Sequence, residues 1–124
     1  MTDSIDLFAR RHGSRLLKKL AEEVEGARRH PDEKAIHDLR VSIRRLSQCL
    51  NEFQQFFHPR KTKKTLKRLH RLMTLAAEMR NRDIAIELIG AADPGLVLIL
   101  GHEREQAKRK LVKALRDWRR GDIS

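Results

Sequence analysis

Tyrosine is absent from the sequence, and one tryptophan and four phenylalanines are its only aromatic residues. That supply leaves little for stacking against nucleobases, the usual grip on single-stranded nucleic acid. A single cysteine, Cys49, excludes an internal disulfide framework and fits a reducing, cytoplasmic setting. The longest apolar run, Leu96–Leu100, is too short to span a bilayer, so no membrane partner is expected. Met1-Thr2-Asp3-Ser4 is polar and acidic and lacks a secretory pattern. Missing too are a glycine-rich phosphate loop, an acid pair placed for Mg²⁺, and metal-ligand spacing among the six histidines. These gaps weigh against a phosphatase or metalloprotein. The expectation is a non-catalytic protein without metal or cofactor.

What the sequence does have is positive charge. Its 124 residues hold 28 Lys and Arg against 17 Asp and Glu, a net +11. Residues 1–33 carry 7 bases and 7 acids, and residues 83–124 carry 8 and 7. The 49 residues between hold 13 bases and 3 acids, so +10 of the excess lies there. Charge kept only for solubility would be more evenly spread. Such segregation points to a polyanionic partner.

Three breaks interrupt an otherwise helical pattern: Gly26 through Pro31, His58-Pro59, and Gly90 through Gly95. Asp93-Pro94 reads as an N-cap followed by proline at the first helical position. Apolar stripes recur at helical spacing in all four segments. They are Ile5, Phe8, Leu16, Leu20 and Val24; then Leu39, Ile43, Leu46, Leu50, Phe53 and Phe57. The third segment offers Leu66, Leu69, Leu72, Met73 and Ala76, and the fourth Leu100, Ala107, Leu111, Leu115 and Trp118. An all-α, antiparallel four-helix bundle forming one domain over residues 1–124 is the expected fold.

Opposite the second stripe lie His37, Arg40 and Arg44, three and four residues apart, with Arg45 next to the last, a ladder of cations. Arginine's planar fork can hold two phosphate oxygens at once. The third helix opens with Arg60, Lys61, Lys63, Lys64, Lys67, Arg68 and Arg71, a density of like charge that a bound anion would relieve. Arg80 and Asp83, three apart, are spaced to pair with each other. Arg104 interrupts the fourth stripe, so it either snorkels outward or meets an anion inside.

The run Ala35-Ile36-His37-Asp38-Leu39-Arg40-Val41-Ser42-Ile43-Arg44-Arg45-Leu46 resembles the signature of the CHAD family, the conserved-histidine α-helical domain. Leu69 through Ala77 with Arg80-Asn81-Arg82-Asp83-Ile84 is similar to that family's second block, and Arg104 with Lys108 and Leu111 to a weaker third. The resemblance implies an all-helical domain that binds inorganic polyphosphate along a basic groove. It carries the family's binding residues onto His37, Arg40, Arg44, Arg45, Arg80 and Arg104. Lys64, Lys67, Arg68 and Arg71 join them by their own spacing. Ala77 stands where the family often has glycine, and Asn81 replaces a usual Asp. Family members typically hold two four-helix halves, whereas this chain has room for one. Two copies pairing as a symmetric homodimer are therefore expected. Nucleic-acid binding and docking on an acidic protein remain as alternatives, since charge alone does not separate polyanions.

Overall fold

The computed structural model describes residues 2–118. Four helices follow one another: α1 (Thr2–Arg29), α2 (Glu33–Glu52), α3 (Pro59–Ile89) and α4 (Pro94–Asp117). Short 3-10 turns, Gln54–Phe56 and Gly90–Ala92, precede α3 and α4. No strand occurs among the described residues, and the helices form an all-α bundle. None is long and apolar enough to cross a membrane.

The local chemistry explains the starts of three helices. Asp32 accepts from the Ala35 N–H at 2.8 Å and opens α2. His58 does the same for Lys61 through Nδ1 at 3.3 Å, with Pro59 at the first helical turn. Asp93 accepts from the Leu96 N–H at 3.0 Å, and Pro94 follows it, as the sequence indicates. Gly90 supplies the positive φ, 51°, with which α3 ends. Gly26, in contrast, breaks nothing. α1 runs through it to Arg29, so the first break is only His30-Pro31-Asp32. An exposed glycine costs a helix about 1 kcal/mol, and Glu25 braces this turn by binding both Arg28 and Arg29. The Arg28 guanidinium holds the Glu25 carboxyl down to about 2.

Leu20, Leu39, Leu46, Leu50, Leu69, Ala76, Met79 and Leu111 are wholly enclosed between the helices. The expected α2 stripe is this core's centre. The expected α1 stripe is only half right. Ile5 and Phe8 are 53% and 57% exposed, and the buried face is Ala9, Gly13, Leu17, Leu20, Val24 and Ala27. The residues at 9 and 13 are small as well as buried, which a search for large side chains passes over. Phe8 lies at the edge, stacked on His12 and edge-on to Phe53.

Arg80 does not pair with Asp83. It reaches Glu33, the first residue of α2, at 2.6 Å, while Asp83 bonds Arg104 of α4. Arg104 thus meets an anion, in a half-buried pair between α3 and α4. Beyond Arg80, α3 continues for about 13 Å at 1.5 Å per residue. Its last turns and the start of α4 therefore outrun α2.

Candidate functional site

The core stripe of α2 faces inward, and the residues along one side of it fall on the flank toward α3. Arg40 and Arg44 lie there one turn apart, with Ser47 and Asn51 continuing the row. Across the seam α3 contributes Lys63, Lys67 and His70, spaced four and three residues apart. A groove of about 370 Å³ runs past Arg44, Ser47, Asn51 and His70. It meets a wider one of about 870 Å³ bordered by Thr62, Lys63, Lys67 and His70, and Asn51, Leu66 and His70 line both. No carboxylate is among the described residues that line either stretch.

Two polar atoms on this flank are buried without a hydrogen-bond partner among the described residues: Arg40 Nε and the Thr62 hydroxyl. Leaving a buried donor unsatisfied typically costs about 1–3 kcal/mol. His37 sits exposed one turn before Arg40, and the adjacent Asp38 is engaged by Lys34 at 2.9 Å, which lowers its carboxyl below the usual range. Arg80 closes the top of the seam, held by Glu33 in a pair that is 33% and 70% exposed. Exposed pairs contribute about 0–1 kcal/mol, so an incoming polyanion can displace Glu33.

The remaining sequence-derived residues divide. Arg68 and Arg71 face α4 and line a separate cavity of about 610 Å³ with Lys110, Lys113, Glu78 and Asp117. Arg68 also lies 4.4 Å from the ring centre of Trp118. Exposed Lys64 shares this flank by its four-residue spacing from Arg68. Arg45 is exposed on the other side of α2 from Arg40 and Arg44. Arg104 is bound to Asp83 and within 3.6 Å of Glu105, so its charge is met locally. Thus one flank of α3 gathers Arg40, Arg44, Lys67 and Arg80, with His37 above them. The other gathers Lys64, Arg68 and Arg71.

Lys63, His70, Asn51 and Thr62 were not among the sequence candidates for the α2–α3 groove, nor Lys110 and Lys113 for the second cavity. The interval 63–67–70 was a usable signal, since it repeats the helical spacing of the α2 ladder. No group of three or more metal-ligating side chains converges among the described residues. Cys49 is buried, and burial pushes its thiol up, away from a reactive thiolate.

No curated protein and no solved structure matches the sequence. A family model described as the CHAD domain matches residues 12–123 and takes in most of α1 and all of α2, α3 and α4. The CHAD family is associated with polyphosphate binding and is in general a binding domain without catalytic activity. On this match, the chain belongs to the CHAD domain family.

Proposed function

We propose that the protein binds inorganic polyphosphate along the seam between α2 and α3 and performs no chemistry on it. The observation that carries this reading is the groove itself. Arg44, Lys63 and Lys67 border it, and no carboxylate among the described lining residues opposes them. Arg40 stands one turn from Arg44 on the same flank of α2. A linear chain of phosphates offers acceptor oxygens at short, regular intervals to such a row. His37 and Arg80 extend the row at one end. Lys64, Arg68 and Arg71 form a second basic flank for a chain long enough to pass over α3. In this reading Arg104 ties α3 to α4 through Asp83, and Arg45 adds long-range attraction only. The functional unit is a twofold pair of copies acting in the cytoplasm.

The main rival is nucleic acid, which shares the phosphate chemistry. Trp118 is engaged by Arg68 rather than open as a stacking platform. Competition separates the two readings. Long-chain polyphosphate is expected to displace a fluorescent oligonucleotide at matched salt, read by anisotropy. An oligonucleotide that stays bound would refute the proposal.

Glu33 provides a second check. It is the acid that occupies Arg80 at 2.6 Å. Glu33→Gln is expected to tighten polyphosphate binding about 2–5-fold, the equivalent of freeing one exposed pair of ~0.5–1 kcal/mol. Titration calorimetry of the variant reads this directly. Unchanged or weaker binding would place Arg80 outside the site.

A further inference from the structure

Among the described residues eight large apolar side chains are exposed, and they fall into two groups. Five are at the α3–α4 turn: Ile84 (37%), Leu88 (81%), Leu96 (39%), Leu98 (77%) and Ile99 (59%). Three are in the first turns of α1: Ile5, Leu7 and Phe8, each half exposed or more. The first group occupies the end of the hairpin that outruns α2, braced by Asp83 with Arg104 and by Arg82 with Glu103 at 3.5 Å. Leu98 and Ile99 are neighbours about 100° apart around α4, so they cannot both turn toward α3. A helical segment apolar on several faces belongs inside something.

Charge narrows what that something is. From residue 84 to residue 102 there is no Lys or Arg, and Glu87 and Asp93 are the only charged residues. The tip therefore carries −2, and the rest of the +11 chain carries +13. Negative charge disfavours an anionic lipid surface, which attracts basic helices. It suits a basic protein, and this chain is one. The second apolar group lies at the opposite end of the bundle, as the Phe8–Phe53 contact at the end of α2 shows. Around it, residues 2–15 carry Arg10, Arg11 and Arg15 against Asp3 and Asp6, a net +1 opposite in sign to the tip, and exposed Arg11 follows Leu7 by one turn.

We infer that a second copy of this chain docks antiparallel to the first about a twofold axis, each α3–α4 tip covering the start of the other's α1. One such contact, repeated by the axis, covers both apolar groups on both copies. Weighted by exposure, the eight residues amount to roughly 800 Å² per copy, the per-partner size of a standard stable interface. This inference rests on the reading above that two copies pair, and it supplies the surface.

The test is light-scattering mass of the full chain at micromolar concentration without polyphosphate, with circular dichroism to confirm folding. The unmodified chain is expected at twice the monomer mass. Leu88→Glu, Leu98→Glu and Leu7→Glu, all at exposed positions, are each expected to return it to monomer. Leu7→Cys and Leu98→Cys chains, mixed in a Cys49→Ser background, are expected to form a disulfide between copies. A monomeric unmodified chain overturns the inference, as does a dimer that survives the tip variants. A dimer broken by Leu98→Glu but not by Leu7→Glu overturns the antiparallel arrangement. Flotation of the unmodified monomer with neutral vesicles, lost in Leu98→Glu, would assign the tip to lipid instead. Polyphosphate titration of the monomeric variants is a separate readout, so loss of pairing and loss of ligand binding are told apart.

Discussion

Raising salt from ~50 to ~200 mM is expected to weaken polyphosphate binding roughly 10³-fold, along a straight line in log Kd against log salt, if about six phosphates are neutralised. The estimate follows from the cations on one flank. Arg40, Arg44, Lys63, Lys67 and Arg80 lie along the α2–α3 seam with His37 beyond them. Each contact is individually modest, because the side chains are mostly solvent-exposed and screened. Counterions released from the ligand supply much of the affinity, and that contribution disappears as salt rises. Titrations at four or five salt concentrations give the slope. A slope near zero would mean that apolar or hydrogen-bonded contacts hold the ligand, contrary to the groove's composition.

Leu46→Ala is expected to destabilise the protein by about 2–5 kcal/mol, the range for removing a wholly buried leucine from a packed core. Leu46 is fully enclosed, one turn from Ile43 and Leu50 on the inward face of α2. The cavity opened there would loosen the helix that aims Arg40 and Arg44. Arg45→Ala, one residue away but exposed, is expected within ~0.5 kcal/mol of the unmodified protein. Urea denaturation measures both. Similar midpoints for the two variants would contradict the packing of α2 described above.

These two variants mark what the sequence reveals and what it hides. The α2 stripe from Leu39 to Leu50 was legible because large side chains repeat at helical spacing and are the core. The cap at Asp93 was legible because the chemistry of a helix start is local, and His58-Pro59 was legible as a break. The first turns of α1's buried face were not, since they turn on Ala9 and Gly13, which carry little hydrophobic signal of their own, whereas Leu20 and Val24 were read correctly. Arg80 could not be matched to Glu33 by spacing, with 47 residues between them. Helical periodicity identified the cations of α3 but not their sides. Lys67 and Arg68 are neighbours in sequence, yet one borders the α2 seam and the other the α4 cavity. Only the positions of α2 and α4 around α3 decide between those flanks.

The most direct test of the account is isothermal titration of defined-length polyphosphate into the unmodified protein and into an Arg40→Ala/Arg44→Ala variant at low salt. Two charge-assisted contacts at about 1.5 kcal/mol each predict a loss of roughly 100-fold in affinity, with folding unchanged by circular dichroism. Arg45→Ala in parallel is expected to change affinity less than about threefold, the scale of a screened, non-contacting charge. Equal affinity for the unmodified and doubly substituted proteins would contradict the account, because polyphosphate would then be held somewhere other than the α2–α3 seam.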